Sequence, residues 1–103
     1  MAAMNQIGIA NLTVSTSAVA LVIPSGFVPK RALIYVATSP IRWTALVGTP
    51  PTSTLGMFVA AGNYIDWTTF GDEEDHSGLI RNARFIRDTS AGSDATLAVA
   101  LFS

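Results

Sequence analysis

Runs of four to nine residues rich in Val, Ile, Thr and aromatic side chains alternate along this chain with clusters of Gly, Pro, Ser and Asn. The breakers leave no room for a helix of ordinary length, and short apolar runs between turn formers predict an antiparallel all-β domain. Strands are expected at 5–14, 17–23, 31–38, 40–47, 54–59, 63–69, 82–88 and 94–102. In "DATLAVALF", Leu97, Val99 and Leu101 share one face at period two, and Thr96, Ala98, Ala100 and Phe102 share the other. Both faces are apolar, so this strand is expected at the centre of its sheet or covered on its outer side by a neighbour. In "SAVALVI", Val19, Leu21 and Ile23 alternate with Ala18, Ala20 and Val22, a large/small pattern suited to two sheets about 10 Å apart. In "PIRWTALV", Ile41, Trp43 and Ala45 face one way and Arg42 and Thr44 the other.

Two stretches are less regular. "GLIRNARFIRD", 78–88, fits a strand, with one helical turn near 79–82, although Leu79, Ile80, Ala83 and Ile86 also approximate a helical face. The apolar phase of "NQIGIANLTV" shifts between Ile9 and Leu12. That shift suits a bulge or a strand reaching onto a neighbouring subunit, and residues 1–10 are a candidate extended N-terminal arm. The whole chain, 1–103, is expected to form one domain. Its fold class is all-β: a single-domain antiparallel β-sandwich, jelly-roll-like, or a compact β-barrel of about seven or eight short strands.

Composition changes the picture of the surface. Six Lys plus Arg and seven Asp plus Glu make 13% of the chain charged, about half of the usual 25%. Thirteen charged side chains cannot cover a domain of this size, so part of its apolar surface is expected to be covered by another chain, the alternative being a neutral, Thr/Ser-rich β surface. The formal net charge of −1 provides no electrostatic footprint for nucleic acid. The longest apolar runs fall far below a membrane-spanning length, and "MAAMNQIGIAN" lacks the basic segment of an export signal. With no cysteine, disulfides, thiolate metal sites and thiol nucleophiles are excluded together.

Candidate chemistry is sparse. His76, the only histidine, stands in "GDEEDHSG" with Asp72, Glu73, Glu74 and Asp75. Their consecutive spacing fails the alternating calcium-loop pattern, and the run 72–76 is expected to be a solvated loop with no bound metal. No nucleophile elbow, phosphate loop or dinucleotide fingerprint is present, so neither an enzyme nor a cofactor is expected. Arg81, Arg84 and Arg87 recur every third residue, and ion pairs with Asp88 or with the acidic run are expected in preference to phosphate contacts. Trp43 shares a strand face with Ile41 and Trp67 with Ile65, which points both rings into the core and not toward a sugar. "Asn11-Leu12-Thr13" fits the glycosylation acceptor pattern and is taken as chance without a secretory signal. Pro50 and Pro51 cannot donate ladder hydrogen bonds, so "GTPPTST" is expected to be a stiff, neutral, hydroxyl-rich projection. Arg42, Thr49, Pro50, Pro51, Thr52, Arg81, Arg84 and Arg87 are therefore the candidate protein-contact residues.

"PIRW", "GTPPTSTLG", "AAGNYIDW", "RFIR" and "DATLAVALF", in that order over residues 32–102, resemble a recurring pattern. It is similar to the small β-structured virion proteins encoded among the structural genes of tailed bacteriophages. The resemblance implies a non-enzymatic particle component. Among such proteins, capsid decoration or cement proteins form trimers on the outer surface of the head, where they bridge major capsid subunits. Others serve as tail, baseplate or head-fibre parts. A homotrimer bound to the major capsid protein is thus the expected assembly, and a host-recognition or carbohydrate-binding β module is the alternative.

Overall fold

The computed structural model describes residues 6–23, 26, 29–46, 48–67 and 77–102. Among them are eight strands and one short helix: β1 Gln6–Val14, β2 Val19–Ala20, β3 Arg31–Ala37, β4 Ile41–Thr44, β5 Met57–Val59, β6 Tyr64–Trp67, α1 Ser77–Asn82, β7 Arg84–Arg87 and β8 Ala95–Phe102. Each strand lies where the alternation predicts it, and α1 forms the helical turn anticipated near 79–82. The strands are shorter than several of the apolar runs, most of all β2 and β5.

The strands form two antiparallel four-stranded sheets, in the orders β1-β8-β3-β6 and β2-β7-β4-β5. Every connection except β4 to β5 passes from one sheet to the other, which is the two-Greek-key order of a jelly roll. No ladder joins the sheets among the described residues, so the fold is a sandwich and not a closed barrel. β8 is central, paired to β1 on one side and β3 on the other, as its two apolar faces require.

The core lies between the sheets. Ala95, Leu97, Val99 and Leu101 of β8, Ala32, Ile34 and Val36 of β3, and Ile65 and Trp67 of β6 face it from one side. Ile41 and Phe85 face it from the other, and α1 closes one end with Ile80. Trp43 and Trp67 meet edge to face across the sandwich, ring centroids 5.1 Å apart, so both indoles serve the core as their strand phases predict.

The candidate arm divides. Residues 6–10 belong to β1 and pair with β8, because the ladder that runs from Gly8 to Val14 begins with a bulge between Gln6 and Gly8. Residues 1–5 lie outside the described residues, as do the acidic run 72–76 with His76 and the last two residues of the predicted strand 63–69. The phase shift at Ile9 is not itself a bulge, since pairing is regular there. Ile9 simply points outward, with 77% of its surface exposed.

Candidate interaction surface

Most of the polar candidates that make contacts make them within the chain. Arg42 on β4 donates from Nε to Asp88 Oδ1 and from Nη1 to the Gly56 carbonyl at 2.9 Å, while its guanidinium lies 5.6 Å from the Phe58 ring centroid. Asp88 is buried at the end of β7, where its second oxygen accepts both the hydroxyl and the N–H of Ser90. The two Ser90 hydrogen bonds, more than the neighbouring Arg42, hold the Asp88 carboxyl down at about 2. Arg42 is thus a clamp between β4, the loop before β5 and the loop after β7. Its guanidinium is committed within the chain.

The loop carrying Thr49, Pro50, Pro51 and Thr52 is tied back to the sheet by hydrogen bonds while most of its side chains stay exposed. Pro51 is buried, Thr44 Oγ1 donates to the Thr49 carbonyl, and Thr89 N donates to the Ser53 carbonyl. Thr52 and Leu55 exchange backbone hydrogen bonds, closing a tight turn that the proline pair enters with its angles already restricted. Beside this loop a depression of about 470 Å³ is lined by Thr52, Ser53, Ile86 and Thr89. Thr49, Pro50 and Thr52 keep exposed side chains.

Three arginines spaced by three residues take three separate jobs. Arg81 is exposed in the last turn of α1. Arg84 donates from Nη1 to the carbonyls of Arg81 and Ala83, satisfying groups that a helix end leaves open. Arg87 pairs with Asp94 at 2.9 Å and donates to the Ala91 carbonyl. Of the partners expected for this series, Asp88 is taken by Arg42, and the acidic run lies outside the described residues. Asp94 was not among the anticipated partners, because only the turn after β7 brings it back beside Arg87.

The broad unpartnered surface lies on the opposite sheet. Pairing aligns Ile9, Ala100, Leu33 and the exposed Asp66 in one row and Asn11, Ala98, Tyr35 and Tyr64 in the next across the outer face of β1-β8-β3-β6, so charge enters this face only at the β6 end of the first row. Small Ala98 and Ala100 at the centre, with larger side chains on both sides, leave a shallow trough of about 210 Å³. Tyr35 and Tyr64 stand at its far side, ring centroids 5.0 Å apart. A second groove, of about 150 Å³, runs along the other side of β1 against Leu21 and Val22. Ile9 and Asn11 line both. A neutral, apolar surface therefore continues from the outer sheet face around β1, where exposed Ile9, Val22 and Tyr64 would be costly to leave facing water.

None of these surface residues was among the candidate contacts chosen for charge or turn chemistry. The signals that find them are the two apolar faces of 94–102 and the shifted phase at Ile9. Among the described residues, no three His, Asp or Glu side chains gather as a cation site, and no helix is long and apolar enough to cross a membrane. Compared with family models, with curated proteins and with solved structures, the chain gives no match in any of the three.

Proposed function

We propose that this chain is a non-enzymatic structural component of a phage particle, a capsid decoration protein that seats on the outside of the head and bridges major capsid subunits. The observation that carries the reading is the uncharged surface running from the Tyr35–Tyr64 pair through Ala98 and Ala100 to Ile9. A jelly roll builds viral shells and lectins alike, so the fold alone does not decide function. Trp67 is buried and Trp43 is half-buried against it, which withholds both indoles as sugar platforms and counts against a carbohydrate at that site.

The work of such a protein is mechanical. Several modest apolar contacts presented by one rigid assembly act at high effective concentration, so separating any two shell subunits costs more than one contact alone would resist. Neutral contacts also make attachment tolerant of salt, unlike a basic protein held on DNA or an acidic shell. Electron cryomicroscopy of particles with and without this protein tests the reading. Difference density is expected over the junctions of the head shell. Density on the tail or baseplate, or none on the particle, would overturn it.

A further inference from the structure

The edges of the two sheets are not equally guarded. β2 has two residues, β5 has three and follows the Pro50-Pro51 loop, and β6 has four with Asp66 exposed. Short, charged or proline-flanked edges are the usual means by which a sheet prevents further strands from adding. β1 is neither short, charged nor proline-flanked, and its one bulge lies at its start, between Gln6 and Gly8. Its nine residues, "QIGIANLTV", contain no charge and no proline, and no strand among the described residues pairs with its second edge. Ile9, Ala10, Asn11 and Thr13 are all exposed along it.

We infer that β1 pairs antiparallel with β1 of a second copy of this chain, about a two-fold axis near Ala10 and Asn11, joining two β1-β8-β3-β6 sheets into one of eight strands. A two-fold contact must be compatible with itself, and β1 meets that condition because it brings no like charges together. Gly8 and Ala10 keep the groove side of the strand shallow, so two copies approach there without a clash of large side chains. The area is sufficient. Nine residues at 3.4 Å span about 31 Å, and a band about 18 Å deep, from the outer side chains to the facing sheet, buries about 560 Å² per copy. That is about a tenth of the 5729 Å² surface. Both copies together clear the roughly 1,000 Å² that a specific interface requires. The backbone groups of alternate residues, otherwise hydrated, gain partners over the same length.

This assembly deepens the structural reading and rests on it in one respect: pairing doubles the neutral trough on one continuous face, the face offered to the shell. It differs from the trimer implied by the family resemblance. The absence of cysteine makes the test direct, because any introduced thiol is unique. The purified chain is measured by light scattering at about 100 µM, above the micromolar range such an area supports. The expected mass is twice 10.8 kDa. Ile9→Lys, which guards the edge without touching the core, is expected to halve that mass with unchanged circular dichroism. On oxidation, Ala10→Cys or Asn11→Cys is expected to form a covalent dimer. Thr13→Cys is expected to remain free, since its two copies lie at least about 14 Å apart, beyond disulfide reach.

A monomer at this concentration, a trimer, or a dimer that crosslinks through neither 10 nor 11 would overturn the inference. A crosslinked β1 dimer that fails to bind head shells would leave the pairing standing and remove the decoration role. A trimer that binds shells would do the reverse.

Discussion

Arg42 shows how much one side chain can decide. Its fork geometry serves Asp88 and the Gly56 carbonyl together, which the single ammonium of a lysine cannot reproduce. Arg42→Ala is expected to lower Tm by several degrees, with Arg42→Lys recovering only part of the loss in thermal unfolding. Equal Tm for the alanine variant and the parent would show that the clamp contributes nothing. Asp88 adds a dependence on pH. Its carboxyl is held at about 2 in the folded chain against an ordinary value of 3.8. The stability it contributes is therefore complete above pH 4 or so and is lost as pH falls toward about 2. Asp88→Asn is expected to unfold at a lower temperature at pH 6 and to lose less on acidification to pH 2.5. Parallel acid limbs would remove Asp88 from the effect. That Arg42 points away from the core follows from strand alternation; that Asp88, 46 residues on, waits for it does not.

At the scale of elements, the turn into β5 is the most constrained. Gly56 has φ +128°, and a Cβ there would sit 2.9 Å from the Trp43 carbonyl oxygen. Neither the backbone conformation nor the space admits a side chain, and the same geometry aims the Gly56 carbonyl at Arg42. Gly56→Ala is expected to cost about 1–3 kcal/mol. Gly62, φ +90° with nothing within 4 Å of a Cβ, is the control: Gly62→Asn is expected to cost less, since Asn tolerates that region. Chemical denaturation of both variants measures the difference, and equal losses would mean that the close approach to β4 is unimportant. Helix α1 is set by packing more than by propensity. Six residues are too few to hold a helix alone, and burial of Ile80, with Arg84 bonded to the Arg81 carbonyl in its last turn, keeps it formed.

Across the whole molecule, neighbouring residues of β8 belong to two different surfaces, the core and the outer face. Leu97 is fully buried between the sheets, whereas Ala98 faces outward in the trough. Leu97→Ala is expected to cost about 2–5 kcal/mol through the cavity it leaves, a large part of the 5–15 kcal/mol typical of a domain. Ala98→Glu is expected to change unfolding by less than about 0.5 kcal/mol and to abolish attachment to head shells in a co-sedimentation assay, because an unpaired carboxylate would be buried at the contact. Retained attachment would move the shell-facing surface elsewhere. Pairing through β1 adds one more global property: Tm is expected to rise with protein concentration, as it must when folding is coupled to association.

Which segments extend, and which residues of each share a face, was legible in the chain because strand alternation is a local property with a period of two. The eight strands, the helical turn before β7, the inward tryptophans and the apolar outer face of β8 all follow from it. Charge poverty carried only the expectation that some of this surface is covered. The partners of Arg42 and Arg87, the tied-back proline loop and the open edge of β1 came only from tertiary structure. They depend on strand order and on which loops cross between sheets. That order is set by the joint burial of residues distant in sequence, such as Val14 and Ala95 on adjoining strands or Trp43 and Trp67 across the core. No local pattern encodes it.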